Sequence, residues 1–392
     1  MKHLSLRSAL ALIVCLSSLI GCSSGGSDVG DGSSGLAIDQ STLSSATSAN
    51  GLAAFEFVPP AGSTAFQLVG LSGQGALIPQ SLINSRGQEI IGLSSQGTTQ
   101  AKLSTVSPSS LNFPFLNGVV ESGTYRAGYK LNSGVADADI SMLLLSKRDS
   151  DSRNGTLKVN FISVGAAADS SDIREDLEGV VGIVKELFAR AGISIDPQWS
   201  SFDGATELPD PRTGARLYEV ISSAVRPYAV NVIFAGKVKG LKGDDRYAVA
   251  GAAPGPAVPS VHSAVLVDLL EVTGGDGQFQ TDSDSNDDRP SGHNDEIRLC
   301  AEEIARSVAR YLGLENNVEF RGGDVIRTDS LSDTESCIKE IQCREQGSAR
   351  TNLMMPRPLR ESSRENNGND FYAREDISEQ QRIVLNNSIL VD

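Results

Sequence analysis

Residues 294–316 read NDEIRLCAEEIARSVARYLGLEN. Ile297, Ala301, Ile304, Val308 and Tyr311 recur three and four positions apart, the spacing of one stripe on an α-helix, which is predicted from about Asp295 to Leu312. Asn294 is a suitable cap, and Gly313 supplies the stop. On a different face Glu303, Arg306 and Arg310 also follow one another at helical spacing, so their side chains are neighbours. Two readings of the arginines stay open. They form either a salt-bridged surface face with Glu302 or Glu303, or a cationic pocket that grips a carboxylate or phosphate in forked geometry.

Upstream, Leu157, Val159 and Phe161 alternate as a strand, and Ile173, Leu177, Val180, Val184, Leu187, Phe188 and Ala191 mark a second amphipathic helix. Asp172 with Glu175 resembles a capping box at its start, and Gly192 ends it. Strands at Ile193–Ile195 and Val230–Phe234, with a short helix over Leu217–Val225, complete a mixed α/β pattern around one core. The polar stretch 148–155 interrupts the apolar pattern and reads as a linker. Before it, residues 36–147 alternate apolar and polar positions in short runs, as in Ala53–Phe57, Thr64–Val69 and Tyr125–Tyr129, with a more uniformly apolar run at Ile140–Leu145. A β-sandwich is the economical reading. Its Gly123-Thr124-Tyr125 step resembles the jelly-roll domains appended to secreted bacterial peptidases. The expected fold is therefore α+β and multidomain: the sandwich at 36–147 and an α/β domain at 156–392.

The first residues read as an export signal. Lys2 and Arg7 precede an apolar run from Ala9 to Ile20 that is too short to span a bilayer. Leu19-Ile20-Gly21-Cys22 resembles the lipobox of bacterial lipoproteins. That resemblance implies removal of residues 1–21 and lipid on Cys22, and the lack of aspartate directly after Cys22 implies the outer membrane, on its periplasmic or cell-surface side. Residues 22–35 are almost all Ser, Gly and Asp beyond the cysteine, a composition that makes a flexible tether. The formal charge of −15 becomes −17 once Lys2 and Arg7 leave. So acidic a chain repels phosphate backbones, and nucleic acid is not an expected partner.

With these residues in view, Arg306 to Asn316 resembles the zinc helix of the metzincin metallopeptidases with its ligands replaced. The family pattern is H-E-x-x-H-x-x-G-x-x-H. Its glycine aligns with Gly313, its histidines with Arg306, Arg310 and Asn316, and its glutamate with Ser307. Other passages keep the family order. Val249–Pro256 followed by Ser263–Val267 resembles the loop and edge strand before the helix, and Asp329–Cys337 resembles the "L-x-D-T-x-x-C" segment. Asn352–Pro356 resembles the Met-turn, with Met354 as the methionine beneath the metal, and Ile377–Gln381 opens a terminal helix. The resemblance covers about Leu157 to Asp392 and implies a mixed sheet, two long helices and a Met-turn.

The departures decide the function expected. Guanidinium has no lone pair to give a metal and stays protonated, so Arg306 and Arg310 repel a dication, while Ser307 cannot act as the base that glutamate provides. Zinc and peptide hydrolysis are not expected, and His262 and His293 lie off the helix face in question. Beyond the tether neither G-x-S-x-G nor a P-loop occurs. Calcium is the cofactor the composition leaves open, at Asp282, Asp284, Asn286, Asp287 and Asp288, where the alternative is a solvated acidic insertion. Cys337 and Cys343 are close enough to form a disulfide, and Cys300 reads as a buried thiol. The chain is thus expected to be a lipid-anchored pseudopeptidase that binds or scaffolds a protein, peptide or glycan. The alternatives are an active metallopeptidase with atypical ligands and a structural envelope protein with calcium-bridged contacts.

Overall fold

The short alternating runs of the first third become nine strands in the computed structural model: β1 (Ile38–Ala46), β2 (Leu52–Phe57), β3 (Ala65–Ser72), β4 (Leu77–Ile83), β5 (Glu89–Ile91), β6 (Lys102–Ser104), β7 (Ser109–Phe113), β8 (Tyr125–Leu131) and β9 (Asp139–Lys147). The structure describes residues 38–91, 100–105, 108–148, 154–165, 171–203, 207–208, 220, 224, 226, 228–258, 263–275, 278–279, 293–321, 323–335, 337–345, 347–356 and 373–391. Cys22, the run 282–288 and His262 lie outside them.

Two antiparallel sheets form, in the orders β1-β9-β3-β7-β6 and β2-β8-β4-β5. Phe55, Phe57, Phe66, Leu68, Phe113, Tyr125, Tyr129 and Met142 fill the space between them. On β2 every second residue is buried, as expected of a sheet with one wet face. β7 is different: all of Ser109–Phe113 is buried, and so is Ala65–Gly70 on β3. The far side of that sheet is covered by the rest of the chain, because Val69 and Leu145 share a buried cluster with Leu157, Phe161 and Val232. Burial on both faces is the reason Ile140–Leu145 lacks clean alternation.

The second part is built on β10 (Gly155–Val164), β11 (Ile193–Phe202), β13 (Val230–Ala235), β15 (Ala248–Ala250) and β16 (Ala264–Asp268), in the order β11-β10-β13-β16-β15. β11, β10, β13 and β16 run parallel, and β15 is antiparallel to β16. The edge strand expected at Ser263–Val267 therefore lies one place in from the edge. All five residues of β16 are buried, which suits an interior strand, whereas Val249 and Ala250 of β15 are partly exposed. A two-stranded ladder, β12 (Glu207–Leu208) with β14 (Lys237–Val238), and the short α2 (Leu269–Val272) lie nearby in sequence.

Helices α1 (Ser171–Ala189) and α3 (His293–Tyr311) bury their stripes, including Leu177, Val180, Val184, Ala301, Ile304 and Val308, against Val159, Phe161, Val232 and Val265. The opposite face of the sheet, with Ile162, Ile233 and Leu266, meets Leu208, Val220 and Val238. Gly313, just past α3, has φ of 121°, a region open to glycine and strained for other residues. The chain continues through the hairpin β17 (Val318–Arg321) and β18 (Asp324–Thr328), then α4 (Glu340–Glu345), α5 (Gly347–Thr351) and α6 (Glu379–Asn387). Ser378 and Gln381 form a capping box at the start of α6. Cys337 and Cys343 are joined by a disulfide, and Cys300 is a buried free thiol. Leu36–Asp392 is one compact unit, a β-rich α+β fold. Among the described residues no helix is long and apolar enough to cross a membrane.

Candidate functional site

The polar side of α3 points into the protein. Glu303, Arg306 and Ser307 are fully buried and Glu302 nearly so. A guanidinium in that position must have carboxylates within reach. Arg306 donates through Nε and Nη2 to Glu303 Oε2 at 3.2 and 2.8 Å, one helical turn back. Its Nη1 donates to Asn316 Oδ1 at 3.1 Å. The residues that the resemblance aligns with the first and third histidines thus bond to each other. Arg310 is 22% exposed and donates from Nη1 to Asp245 Oδ1 at 2.6 Å. The same carboxylate lies 3.5 Å from Arg306 Nη2.

Behind this layer sits Arg374, also fully buried. Its Nε donates to Glu302 at 3.0 Å and its Nη1 to the carbonyl of Met355 at 3.0 Å. Arg374 Nη2 lies 2.8 Å from Glu303 Oε1, an ion contact whose angles fall outside hydrogen-bond geometry. Burial alone would lower the pKa of Arg374, but the charges of Glu303 and Glu302 and the hydrogen bond to Glu302 more than offset it, and the net shift is upward. Glu302 then pairs with Arg298 at 3.1 Å, Arg298 with Glu375, and Glu375 with Arg190. Charges of opposite sign therefore alternate without a break from Arg310 and Asp245 through Arg306, Glu303, Arg374, Glu302, Arg298 and Glu375 to Arg190.

Met354 joins the site from below. The Asn352 side chain accepts from Met354 N at 2.9 Å and exchanges two amide hydrogen bonds with Gln381 of α6. Asn317, next to Asn316, donates its backbone N–H to the Met354 carbonyl at 3.1 Å. Met354 is fully buried in the core under α3, and its neighbour Met355 lies in the small core beside the disulfide.

Arg306 is thus joined to Asn316 directly and to Arg310 through Asp245, Ser307 is buried next to Arg306 in the chain, and Met354 connects to this group through Asn317. The surface face offered as one reading of the arginines is corrected: the Glu303 partner is as expected, but the pair is buried, because α3 is covered on this side by Asp245 and by the Arg374 segment. Those two residues were missed. They lie 65 and 72 positions from their α3 partners, and no local pattern marks them. For a transition metal the donor set does not fit. Two of the three positions hold guanidinium groups already engaged by carboxylates, and Ser307 Oγ is buried without a hydrogen-bond partner. Among the described residues no three His, Cys, Asp or Glu side chains converge as a metal-holding group. Three carboxylates, of Asp245, Glu302 and Glu303, face the guanidiniums of Arg306, Arg310 and Arg374, and Glu302 also meets Arg298.

No family model matches this chain, and no curated protein does. Solved structures overlap with it only loosely. Metalloproteinase-II from Bacteroides fragilis has 12% identity and a TM-score of 0.23, with 43% of this chain and 45% of that one covered. The SPBc2 prophage-derived protein YomS has 11% identity and a TM-score of 0.18, over 28% of this chain and 96% of that one. A family two carbohydrate esterase from Cellvibrio japonicus has 11% identity and a TM-score of 0.11, covering 53% and 82%. The chain spans less than half of the Bacteroides metalloproteinase, and at such scores none of these likenesses assigns a fold or an activity.

Proposed function

We propose that this chain is an exported, lipid-anchored pseudopeptidase: a jelly-roll-like sandwich joined to a metzincin-like domain that no longer holds zinc and serves to bind or scaffold. The observation that carries the reading is the ionic plug on α3. At the positions aligned with zinc ligands stand two guanidiniums and an amide, and these are paired with Glu303, Asp245 and one another. An arginine cannot be a ligand, and one held by a buried carboxylate cannot be moved aside cheaply, since parting a buried pair costs about 3–5 kcal/mol. Ser307 offers no base to activate water. The turn at Met354 and its bond to Asn317 suit the Met-turn role without requiring an ion above it. The Cys337–Cys343 disulfide suits an oxidising compartment.

The test is elemental analysis of the purified full chain after dialysis against micromolar zinc, together with a casein-degradation assay. Less than a tenth of an equivalent of zinc and no cleavage are expected, and stoichiometric zinc or cleavage overturns the reading. The variant carrying Arg306→His, Arg310→His and Asn316→His tests the alignment itself, because it is expected to take up zinc where the parent does not. Lipid on Cys22 is read by mass spectrometry of the N-terminal fragment, and an unmodified cysteine removes the anchor from the proposal.

A further inference from the structure

We infer that Asp245 is a tethered stand-in for a ligand carboxylate, and that the Arg306–Arg310 pair is a binding site for a single carboxylate on a peptide partner. The inference deepens the binding reading above and rests on it.

Asp245 Oδ1 occupies a point 2.6 Å from Arg310 Nη1 and 3.5 Å from Arg306 Nη2, so two guanidiniums from successive turns of α3 converge on one oxygen. The two arginines differ in what else they hold. Arg306 gives hydrogen bonds to Glu303 and Asn316. Arg310 gives one of its five N–H donors to Asp245, and its Nε and Nη2 donate to no described residue although the side chain is only 22% exposed. A guanidinium that is mostly covered yet short of acceptors, at the open end of a buried ion chain, has room for a second oxygen. A visiting carboxylate would present two oxygens where Asp245 engages through one, which is the forked arrangement arginine favours.

The segment that carries Asp245 is a short turn. Asp245 ends a three-residue 3-10 helix, Gly243–Asp245, and its side chain is 35% exposed. Gly240 and Gly243 on either side of Leu241 and Lys242 have φ of 86° and 62°, so the segment turns on residues that tolerate this backbone. Displacing Asp245 exchanges one ion pair for another and leaves the Arg306–Glu303 and Arg374–Glu303 contacts in place, so the core need not open. The negative charge of the chain disfavours polyanions at long range. The occupant is therefore a lone carboxylate, a chain terminus or one acidic side chain, on an otherwise uncharged segment.

An internal competitor lowers the fraction of molecules free to bind, so removing its charge tightens binding by the inverse of that fraction. The probe is a tetra-alanine with a free C-terminal carboxylate, labelled at its N-terminus with an uncharged BODIPY dye, its C-terminal amide serving as control, followed by polarisation on the full chain. Asp245→Asn is expected to bind the carboxylate peptide about tenfold tighter than the wild type. Arg310→Gln is expected to lose that binding, and the amide peptide to bind neither. Acetate should displace the probe from Asp245→Asn at lower concentration than phosphate does. Equal or weaker binding by Asp245→Asn, retained binding by Arg310→Gln, or displacement by phosphate alone overturns the inference. Should Asp245→Asn misfold, acetate competition on the wild type and Arg310→Gln carries the same decision. A zinc-free chain that fails these tests removes the carboxylate site and leaves the pseudopeptidase reading standing, whereas zinc in the chain removes that reading first.

Discussion

At the scale of single residues, Arg374 shows what a buried charge does for this protein. It has no exposure, and its carboxylate partners Glu302 and Glu303 are nearly or fully buried as well. Arg374→Met roughly preserves volume but takes one of two guanidinium partners from each carboxylate, leaving Glu302 with Arg298 and Glu303 with Arg306, so the expected loss is about 3 kcal/mol of unfolding free energy, read by urea denaturation. A loss under about 1 kcal/mol would mean that water already reaches the cluster. Asp329 behaves in the opposite sense. Burial raises its pKa, hydrogen bonds from Thr334 and Leu331 pull it back, Glu315 and Asp333 push it up again, and the balance stands at about 6 against an ordinary 3.8. The folded state therefore holds this proton more tightly than the unfolded chain does. Its contribution to stability is complete below about pH 4 and is lost as pH rises through about 6. Discounted for partial exposure, the loss is about 1–2 kcal/mol. Thermal melts between pH 4 and 7 should show that slope in the wild type and a flatter profile in Asp329→Asn.

Among elements, residues 254–257 between β15 and β16 are held from two sides. Tyr311 donates its hydroxyl to the Pro256 carbonyl at 2.6 Å, and Gly255 N donates to the Tyr311 carbonyl at 2.7 Å. From the other side Ser110 donates to the Pro254 carbonyl, and Gln67 bridges Gly255 and Ala257. A Cβ on Gly255 would lie 2.0 Å from the Tyr311 ring, which cannot retreat through a buried core. Gly255→Ala is expected to cost more than about 2 kcal/mol, or to fail to accumulate, while Gly182→Ala, with open space around it, should be neutral or stabilising. Equal melting temperatures for the two variants would contradict this packing. These elements also show what could be read from the sequence. α3, α1 and the alternating strands were legible because each carries its period in consecutive residues, whereas α6 was expected only through the resemblance at Ile377–Gln381, and its capping box at Ser378 went unread. The arginines of α3 were legible as a site, but the burial of Arg306 was not, because it depends on Asp245 and Arg374 arriving from distant segments. The position of β16 was misread for a related reason: an apolar strand does not say which neighbour lies beyond it, and β15 is only three residues long.

For the whole molecule, the consequence is that the sandwich and the second part should unfold as one. The sheet β1-β9-β3-β7-β6 is shared property: one face closes the sandwich, and the other, through Val69, Leu145 and the neighbouring Phe115, belongs to the core beneath α1 and α3. Polar groups are committed across the same seam. Lys147, nearly fully buried, donates to the Asn386 carbonyl at 3.0 Å, Asn387 donates to the Phe115 carbonyl at 2.7 Å, and Lys102 pairs with Glu315 beside the ionic plug. Separating the two parts would expose that apolar face and leave these groups to be solvated anew, a penalty that neither part recovers alone. Differential scanning calorimetry of the full chain should therefore give a single transition whose calorimetric and van't Hoff enthalpies agree. Gln67→Leu, placed in the sandwich, should lower the melting temperature seen by a probe in the second part, such as the fluorescence of Trp199, as much as it lowers the bulk transition. Two resolved transitions, or a Trp199 signal that ignores Gln67, would mean that the seam is a docking contact between independent domains.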